Sequence, residues 1–243
     1  GRTNLPTNRS NEASVWQAAE PTCLRFTLVR GARLNKRLIQ MSPYGNRVFA
    51  LERVQLPHMV AEFGRYAVTL RCANSLPKSI LERTKALHQD RELHSSKTEE
   101  MRLLQRKLFL TLEKYDDAGL GFAPFAEGVV ATQFYRFLET YARDGLRFTD
   151  WTIMPNHVHL VTDGVAFDGV ARFVKAWRAL KGISGKQLNQ QMGRSGPFWQ
   201  TEWYDRLIRD EVEYRKWKAY IAANPVKAGL CSNWSDFPYT FIS

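Results

Sequence analysis

The stretch RFTDWTIMPNHVHLVT, residues 147–162, contains two segments of β-strand character on either side of Pro155 and Asn156. Each segment is short and rich in β-branched and aromatic residues, while the proline and asparagine between them are typical of a turn. The stretch therefore predicts two neighbouring strands, at 147–154 and 157–162.

The remaining elements are predicted from the spacing of apolar residues along the chain. Two more strands are expected at 66–72 and 203–208, and helices are expected at about 129–142, 168–181 and 211–223, the last interrupted by Pro225. The order β-α-β-β-α-β-α predicts an α+β fold. We expect a ferredoxin-like βαββαβ antiparallel sheet with helices on one face and an added C-terminal helix.

Two regions fall outside this pattern. Residues 79–114 are charged and of helical character, and they are interpreted as a helical insertion. Residues 1–22 show no periodicity and are expected to be a flexible lead-in, and the pieces 24–29 and 48–54 are either strands or an ordered extension. We therefore expect an N-terminal extension of unknown role, 1–60, followed by one domain, 61–243.

The charge of the chain favours a polyanionic partner. There are 35 Lys and Arg against 24 Asp and Glu, a formal net charge of +11, and residues 164–243 alone carry twelve basic and seven acidic groups. Such an excess is typical of nucleic-acid binding, although it also occurs in proteins that are merely basic. DNA is therefore a candidate partner that needs support from specific residues.

Cysteine content and hydropathy indicate the compartment. Cys23, Cys72 and Cys231 are odd in number and widely separated, which argues against a disulfide framework and fits a reducing cytosol. No run approaches the roughly 18 apolar residues of a membrane span. We expect a cytoplasmic, nucleoid-associated protein that has no membrane partner.

His157 and His159 form a candidate metal-binding pair. Side chains alternate between the two faces of a strand, so both imidazoles point the same way while Val158 points into the opposite face. Nitrogen ligands suit Mn, Zn, Fe, Co or Ni better than Mg alone. The alternative is that these are two unrelated surface histidines.

Two motifs carry a resemblance to a known family. MPNHVHLV, residues 154–161, resembles the HUH signature of single-tyrosine transposases, and YIAANPVKAGL, residues 220–230, resembles their tyrosine motif. Together with the family-like FWQ at 198–200 and YDRLIR at 204–209, they make the chain similar to the REP-associated tyrosine transposases over roughly residues 60–235. Residues 61–243 would then be the catalytic domain.

The resemblance implies a set of site residues. Tyr220 would be the catalytic nucleophile, and His157, His159 and Asn224 would hold a divalent metal, Mg or Mn. The enzyme would be a DNA transposase, a metal-dependent single-strand endonuclease and transesterase that cleaves and rejoins DNA near hairpins, such as those of REP elements, through a 5′-phosphotyrosine. Its partner would be single-stranded or hairpin DNA, and the protein would be a monomer or homodimer.

The tyrosine motif can also be analysed from its spacing. Lys216, Tyr220 and Asn224 lie four residues apart and so share one helix face. A phenol with a pKa near 10 needs help to act as a nucleophile at neutral pH, and Lys216 is a candidate helper. Asn224 has an alternative role, because a residue before proline tends to leave the helix and can cap the turn.

Other aromatic and basic residues are assigned by position. Tyr204 and Tyr214 have no oxygen ligand four residues on and are expected to be structural, while Trp199 or Trp203 either stacks on an unpaired base or belongs to the core. The predicted phosphate contacts flank the histidine strand and the tyrosine helix. They are Arg172, Lys175, Arg178, Lys181, Lys186, Arg206, Arg209 and Lys227.

Two other functions stay open. The first is a domesticated hairpin-binding protein that keeps the fold and has lost catalysis, which the presence of all three catalytic residue types disfavours. The second is a metal hydrolase with an activated water. It would need a carboxylate base, and Asp163, four residues beyond His159 on the same strand face, is poorly spaced for that role.

Overall fold

The computed structural model describes residues 40–41, 47–51, 58–75 and 121–243. The predicted lead-in, the segment 24–29 and the helical insertion at 79–114 lie outside the described residues. Of the segment 48–54, the part that is described forms a strand, Arg47–Leu51.

The described elements follow one another in the predicted order, with short additional strands. The strands are β1 Gln40–Met41, β2 Arg47–Leu51, β3 His58–Ala61, β4 Phe63–Arg71, β5 Phe148–Ile153, β6 His157–Thr162, β7 Val165–Ala166, β8 Tyr204–Ile208 and β9 Thr240–Ile242. The helices are α1 Gly128–Thr140, α2 Val170–Gln191 and α3 Glu211–Lys227.

The main sheet has the strand order β8-β4-β6-β5, and every pairing in it is antiparallel. The first and third strands of the βαββαβ unit lie at the centre, and the fourth and second lie outside them. This is the order of a ferredoxin-like fold, so the predicted fold class is confirmed. The short strand β9 extends the sheet beyond β5 and was not predicted.

Helices α1 and α2 cover one face of this sheet. The larger core lies between them and the strands, and β6 contributes Val158 and Leu160 to it, while Phe134 of α1 and Trp177 of α2 pack from above. All four side chains are fully buried. Leu70 and Ile153, the neighbours of Val158 across the sheet, continue this apolar layer.

Helix α3 covers the opposite face and closes a smaller core. Trp217 and Ile221 of α3 pack there on Ala67 of β4, Val161 of β6 and Ile208 of β8. The side chains of β6 alternate between the two faces of the sheet, so His157, His159 and Val161 all point toward α3. The added helix is thus the element that covers the histidine pair.

Helix α2 ends ten residues later than predicted. The sequence analysis ended it near residue 181, before Gly182 and Gly185, but it continues to Gln191 because Leu180, Ser184 and Leu188 extend its buried stripe. A Cβ at residue 185 would lie only 3.2 Å from the Cβ of Phe198. Glycine there allows the following segment to pack closely against the helix instead of breaking it.

Helix α3 also continues past its predicted end. It runs through Pro225 to Lys227, because a proline in the last turn removes only one helical hydrogen bond. The helix stops at Gly229, whose φ of +70° is the left-handed conformation typical of a helix end. There Leu230 N donates to Pro225 O at 2.9 Å and Gly229 N donates to Val226 O at 3.0 Å.

Strands β1, β2 and β3 form a separate three-stranded antiparallel sheet. Val60 and Ala61 at the end of β3 are buried in the larger core. The predicted end of the N-terminal extension at residue 60 therefore lies within β3, where the chain already packs on the main domain. In the described part of the chain, no helix is long and apolar enough to cross a membrane.

Candidate metal and tyrosine site

The two histidines of β6 converge beneath α3. His157 Nε2 and His159 Nε2 lie 3.1 Å apart, and the two rings meet at 79°. Both residues are almost completely buried. A separation of 3.1 Å is short enough for both nitrogens to lie about 2.1 Å from one shared ion, the usual length of a metal bond to imidazole.

The other nitrogen of each ring faces a polar side chain. His157 Nδ1 lies 2.8 Å from Asn156 Oδ1. His159 Nδ1 lies 2.9 Å from the Thr69 hydroxyl, which β4 places beside it because Thr69 and His159 are register partners. With both Nδ1 atoms engaged at the edges, the two Nε2 atoms point toward each other.

The surroundings of the pair favour neutral rings. Burial lowers the pKa of His157 to about 3, helped by the nearby charge of Arg71. The pKa of His159 is also well below its usual range, first because of burial and then because of His157 and Arg71. A neutral imidazole keeps a lone pair for a metal, so the donor set fits a divalent cation.

Tyr220 lies directly against this pair. Its ring meets that of His159 edge to face, with 5.1 Å between centroids, and packs on Trp217 at 5.3 Å. The Nζ atom of Lys227 lies 5.9 Å from the centroid of the phenol ring. Lys216, the predicted helper, is half-buried on α3 one turn before Tyr220.

Asn224 is buried inside α3, one turn beyond Tyr220. Its Nδ2 donates to the main-chain oxygen of Tyr220 at 2.8 Å, so it does not cap the helix, and its amide oxygen remains as an acceptor. No three His, Cys, Asp or Glu side chains cluster as a metal site within residues 58–75 and 121–243. The amide oxygen of Asn224 therefore remains a candidate third ligand.

Asp163, the base that a hydrolase would need, is directed elsewhere. Its Oδ1 lies 3.8 Å from Arg65 and accepts from Gly164 N at 2.7 Å, and half of its side chain is exposed. The buried carboxylate Asp150 accepts from the Tyr214 hydroxyl at 2.8 Å and from Ser243 N at 3.0 Å. Tyr214 therefore holds the sheet to the helix, which agrees with its predicted structural role.

The basic residues of α2 lie on the other side of the sheet from Tyr220. Arg178, Lys181 and Lys186 line a groove of about 900 Å³ between α2 and the segment that follows it. Lys175 is exposed on the same helix, and Arg172 lies 3.6 Å from Asp168. The five residues that were predicted together as phosphate contacts thus form a surface separate from the histidine site.

Lys181 differs from the other cations named on α2 because it is half-buried, whereas they are exposed. Its Nζ donates to Thr201 O at 2.6 Å and lies 4.9 Å from the ring centroid of Trp203. Burial lowers the pKa of Lys181 to about 8. Its ammonium group therefore holds the loop before β8, which leaves Arg178 and Lys186 as the exposed cations of the groove.

Arg206 and Arg209 are engaged within the protein. Arg206 Nε donates to Glu213 Oε1 at 2.6 Å, and Arg209 Nε donates to Glu213 Oε2 at 2.8 Å. Asp210 caps α3 by accepting from Glu213 N at 2.7 Å. These two predicted DNA contacts thus anchor the start of α3 to β8.

The tryptophans and Tyr204 belong to the cores. Trp199 is buried and its Nε1 donates to Ser184 Oγ at 3.0 Å, while Trp203 is buried in the larger core. Tyr204 packs at the edge of the smaller core. Of the two roles considered for Trp199 and Trp203, the structure places both in the core.

Three residues near the histidines were missed by the sequence analysis. Thr69 and Arg71 are buried on the α3-facing side of β4, and Asn156 lies in the turn between β5 and β6. Asn156 stood within the quoted motif and could have been found there. Thr69 and Arg71 could be found only through the pairing of β4 with β6, which links residues 90 positions apart.

A ferredoxin-like sheet whose His-x-His strand faces a tyrosine on an added helix is the arrangement expected for a single-tyrosine transposase domain. Residues 124–224 match the family described as transposase, IS200-like. This segment is therefore similar to that family, and it contains His157, His159, Tyr220 and Asn224. The resemblance that the two motifs indicated is confirmed.

Two named relatives are also similar to part of this chain. The chain is 31% identical to the REP-associated tyrosine transposase of Escherichia coli (strain K12), over 37% of this chain and 50% of that protein. It is also 31% identical to a putative REP-associated tyrosine transposase of Haemophilus influenzae, over 36% of this chain and 54% of that protein. The matches thus span about half the length of each relative.

A solved structure of a REP-associated tyrosine transposase bound to a REP hairpin is also similar, at 18% identity and a TM-score of 0.38. The match covers 73% of this chain and 75% of that one.

Proposed function

We propose that this protein is a metal-dependent single-stranded DNA transesterase that cleaves and rejoins DNA near hairpins, with Tyr220 as its nucleophile. The observation that carries the proposal is the contact between the Tyr220 and His159 rings, which brings a phenol beside two convergent imidazole nitrogens. A nucleophile next to a metal-binding pair is the arrangement that phosphoryl transfer requires.

Each residue of the site would have its own role in the reaction. His157 and His159 would hold a divalent ion, Mg or Mn, through their Nε2 atoms, and Asn224 would add its amide oxygen. The ion supplies Lewis-acid polarisation of the scissile phosphodiester. Tyr220 Oη would attack phosphorus and form the Oη–P bond, giving its proton to solvent, while the P–O3′ bond breaks and the 3′-oxygen takes up a proton from solvent. A 5′-phosphotyrosine and a free 3′-hydroxyl result, and the reverse attack rejoins the strand.

The phenol needs help to react at neutral pH, because its usual pKa is near 10. A cation close to the ring favours the phenolate. Lys227, about two turns beyond Tyr220 on α3, has its Nζ 5.9 Å from the ring centroid and is therefore a second candidate for this role beside Lys216.

The proposed partner is single-stranded or hairpin DNA. The relatives are named for REP elements, and the net charge of +11 supports a polyanionic substrate. The exposed α2 cations Arg178, Lys186, Lys175 and Arg172 lie on the other side of the sheet from Tyr220, so they are proposed to hold DNA outside the scissile step. An enzyme acting on chromosomal DNA would work in the cytoplasm, at the nucleoid.

The test uses the full chain and single-stranded oligonucleotides copied from the DNA flanking its gene, with and without the neighbouring hairpin. Reactions contain Mn²⁺, Mg²⁺ or chelator, and denaturing gels separate cut DNA from protein-DNA adducts. We expect a metal-dependent cut and an adduct that survives denaturation. Tight binding of the hairpin with no cut in either metal would instead support the domesticated hairpin-binding protein.

A further inference from the structure

Four polar groups form a continuous line along the sheet face beneath α3. They run from the Thr69 hydroxyl to His159 Nδ1 at 2.9 Å, from His159 Nε2 to His157 Nε2 at 3.1 Å, and from His157 Nδ1 to Asn156 Oδ1 at 2.8 Å. All four residues are at most 2% exposed, so water does not compete for these contacts.

The Asn156 end of the line has a fixed direction. An amide oxygen only accepts hydrogen bonds, so His157 Nδ1 must carry the proton and donate. The Nε2 atom of a neutral His157 then holds a lone pair. This ring is already in the tautomer that a metal ligand needs.

The Thr69 end can point either way, because a hydroxyl both donates and accepts. Without an ion, the 3.1 Å contact between the two Nε2 atoms requires a proton on one of them, and that proton belongs to His159. The hydroxyl of Thr69 then donates to the lone pair on His159 Nδ1. Every group in the line is satisfied and all three hydrogen bonds run in one direction.

We propose that Asn156 and Thr69 are positioning residues for the metal site, with Asn156 locking the tautomer of His157 and Thr69 allowing His159 to change its tautomer when an ion binds. When an ion is bound, the His159 proton lies on Nδ1 instead of Nε2. The Thr69 hydroxyl has then rotated so that its oxygen accepts a hydrogen bond from His159 Nδ1. The number of protons on the two rings is unchanged. The inference rests on the proposed function, because it assumes that the pair binds a metal.

Thr152 provides a matched control. It is the register partner of His159 on the other neighbouring strand, just as Thr69 is on β4, and both threonines are buried. The hydroxyl of Thr152 pairs with the Thr240 hydroxyl at 2.7 Å and not with a ring nitrogen. The substitutions Thr69→Val and Thr152→Val therefore remove the same atom from equivalent places on the two sides of His159.

The first measurement is the tautomer of each ring, from ¹⁵N spectra of the full chain labelled at histidine. Spectra of His157→Ala and His159→Ala assign the two rings. In metal-free protein we expect His157 protonated at Nδ1 and His159 at Nε2, and Zn²⁺ should move the His159 proton to Nδ1. A metal-free His157 protonated at Nε2 would overturn the proposal.

The second measurement is the Kd for Mn²⁺ by calorimetry. Loss of such a supporting hydrogen bond typically weakens metal binding by roughly 10- to 100-fold, and we expect this for Thr69→Val and Asn156→Leu. Thr69→Ser and Asn156→Asp keep an acceptor and should restore affinity, and Thr152→Val should leave it unchanged. Equal losses in the Thr69→Val and Thr152→Val variants would contradict the inference.

The two proposals fail in different ways. If the wild-type chain binds neither Mn²⁺ nor Zn²⁺, the metal-dependent function is wrong, and with it the loading step. If the wild type binds metal but the Thr69→Val and Asn156→Leu variants bind it equally well, the positioning roles are wrong and the metal site stands.

Discussion

The ring of Tyr220 meets the ring of His159 edge to face, with centroids 5.1 Å apart and planes inclined by 80°. His159 belongs to the sheet and Tyr220 to α3, so this contact exists only while the helix keeps its position on the strands. The helix is held there by the smaller apolar core beneath Trp217 and Ile221, by the pair of arginines bonded to Glu213, and by the Tyr214 hydroxyl on Asp150. Single substitutions can therefore distinguish the residues proposed to act on DNA from the residues that keep the helix in this position.

The substitution Tyr220→Phe removes only the phenol oxygen. We expect the fold, Mn²⁺ binding and DNA affinity to survive, while strand cleavage and the denaturant-resistant adduct both disappear. A hydrolase that uses metal-activated water would still cut DNA. The measurement is a denaturing gel with end-labelled oligonucleotide, together with circular dichroism to check the fold.

The control for this prediction is Tyr214→Phe on the same helix. It removes a hydrogen bond to the buried Asp150, so we expect a stability loss of about 1–3 kcal/mol with the adduct retained. An adduct that forms in Tyr220→Phe and maps to Tyr204 or Tyr214 would show that the nucleophile has been chosen wrongly.

Alternate residues of β6 are expected to have opposite roles. Replacing His157 and His159 by alanine should abolish metal-dependent cleavage with the fold intact, because the pair faces the site beneath α3. Val158 lies in the larger core on the other face, and Val158→Ala should lower the free energy of unfolding by roughly 1–3 kcal/mol while cleavage persists. Cleavage that is undiminished in the double histidine variant would refute the metal assignment.

The alternation that separates these roles could be predicted from the sequence. The four strands of the βαββαβ unit, their order along the chain and the shared direction of His157 and His159 all follow from patterns within a few residues. The long-range pairings could not be predicted in this way. Thr69 reaches His159 only because β4 lies beside β6, and β9 joins β5 from far along the chain.

The roles of the basic residues also depend on contacts between residues that are far apart in the chain. Arg206 and Lys181 have the charge that suits phosphate, but the fold places Arg206 against Glu213 and Lys181 against Thr201 O. Helix ends were also misplaced, since the burial of Leu188 and the packing against Gly185 depend on Phe198 and Trp199. Residue type alone does not distinguish a charge that is exposed to a partner from one that is used within the fold.

The exposed α2 cations give a prediction about DNA binding. Arg178→Gln combined with Lys186→Gln should weaken binding to most single strands equally, because phosphate contacts do not read bases. If each cation neutralises one phosphate, the slope of log K against log salt should fall by roughly 0.7 per residue removed. Fluorescence anisotropy over a range of salt concentrations measures both quantities, and an unchanged slope would exclude this surface.

The arginine clamp gives a prediction about stability and pH. Burial by itself would raise the pKa of Glu213, but the charge of Arg206 and the hydrogen bonds from Arg209 and Arg206 lower it below its usual value of 4.5. A carboxyl whose pKa is lowered by folding stabilises the folded state above its unfolded pKa. That stabilisation is lost as the pH falls through the lower, folded pKa.

We therefore expect Glu213→Gln to be less stable than the wild type at pH 7 by about 1–3 kcal/mol. The side chains of Arg206 and Arg209 are 36% and 44% exposed, and water weakens ion pairs at such positions. The loss of stability is therefore smaller than for a fully buried ion pair. The gap between the two proteins should begin to shrink as the pH falls below 4.5, and it should close as the pH falls through the lower, folded pKa, where the carboxyl of the folded wild type also becomes neutral. The measurement is urea unfolding at a series of pH values.

Glu211→Gln is the matched control at the start of the same helix. Glu211 is 61% exposed and lies 3.8 Å from Arg215, so its loss should change stability by less than about 1 kcal/mol. Because Glu213 ties α3 to β8, its variant should also slow adduct formation by Tyr220, and Glu211→Gln should not. A stability gap between wild type and Glu213→Gln that stays constant from pH 7 to the acid range would show that the charge of Glu213 does not stabilise the helix.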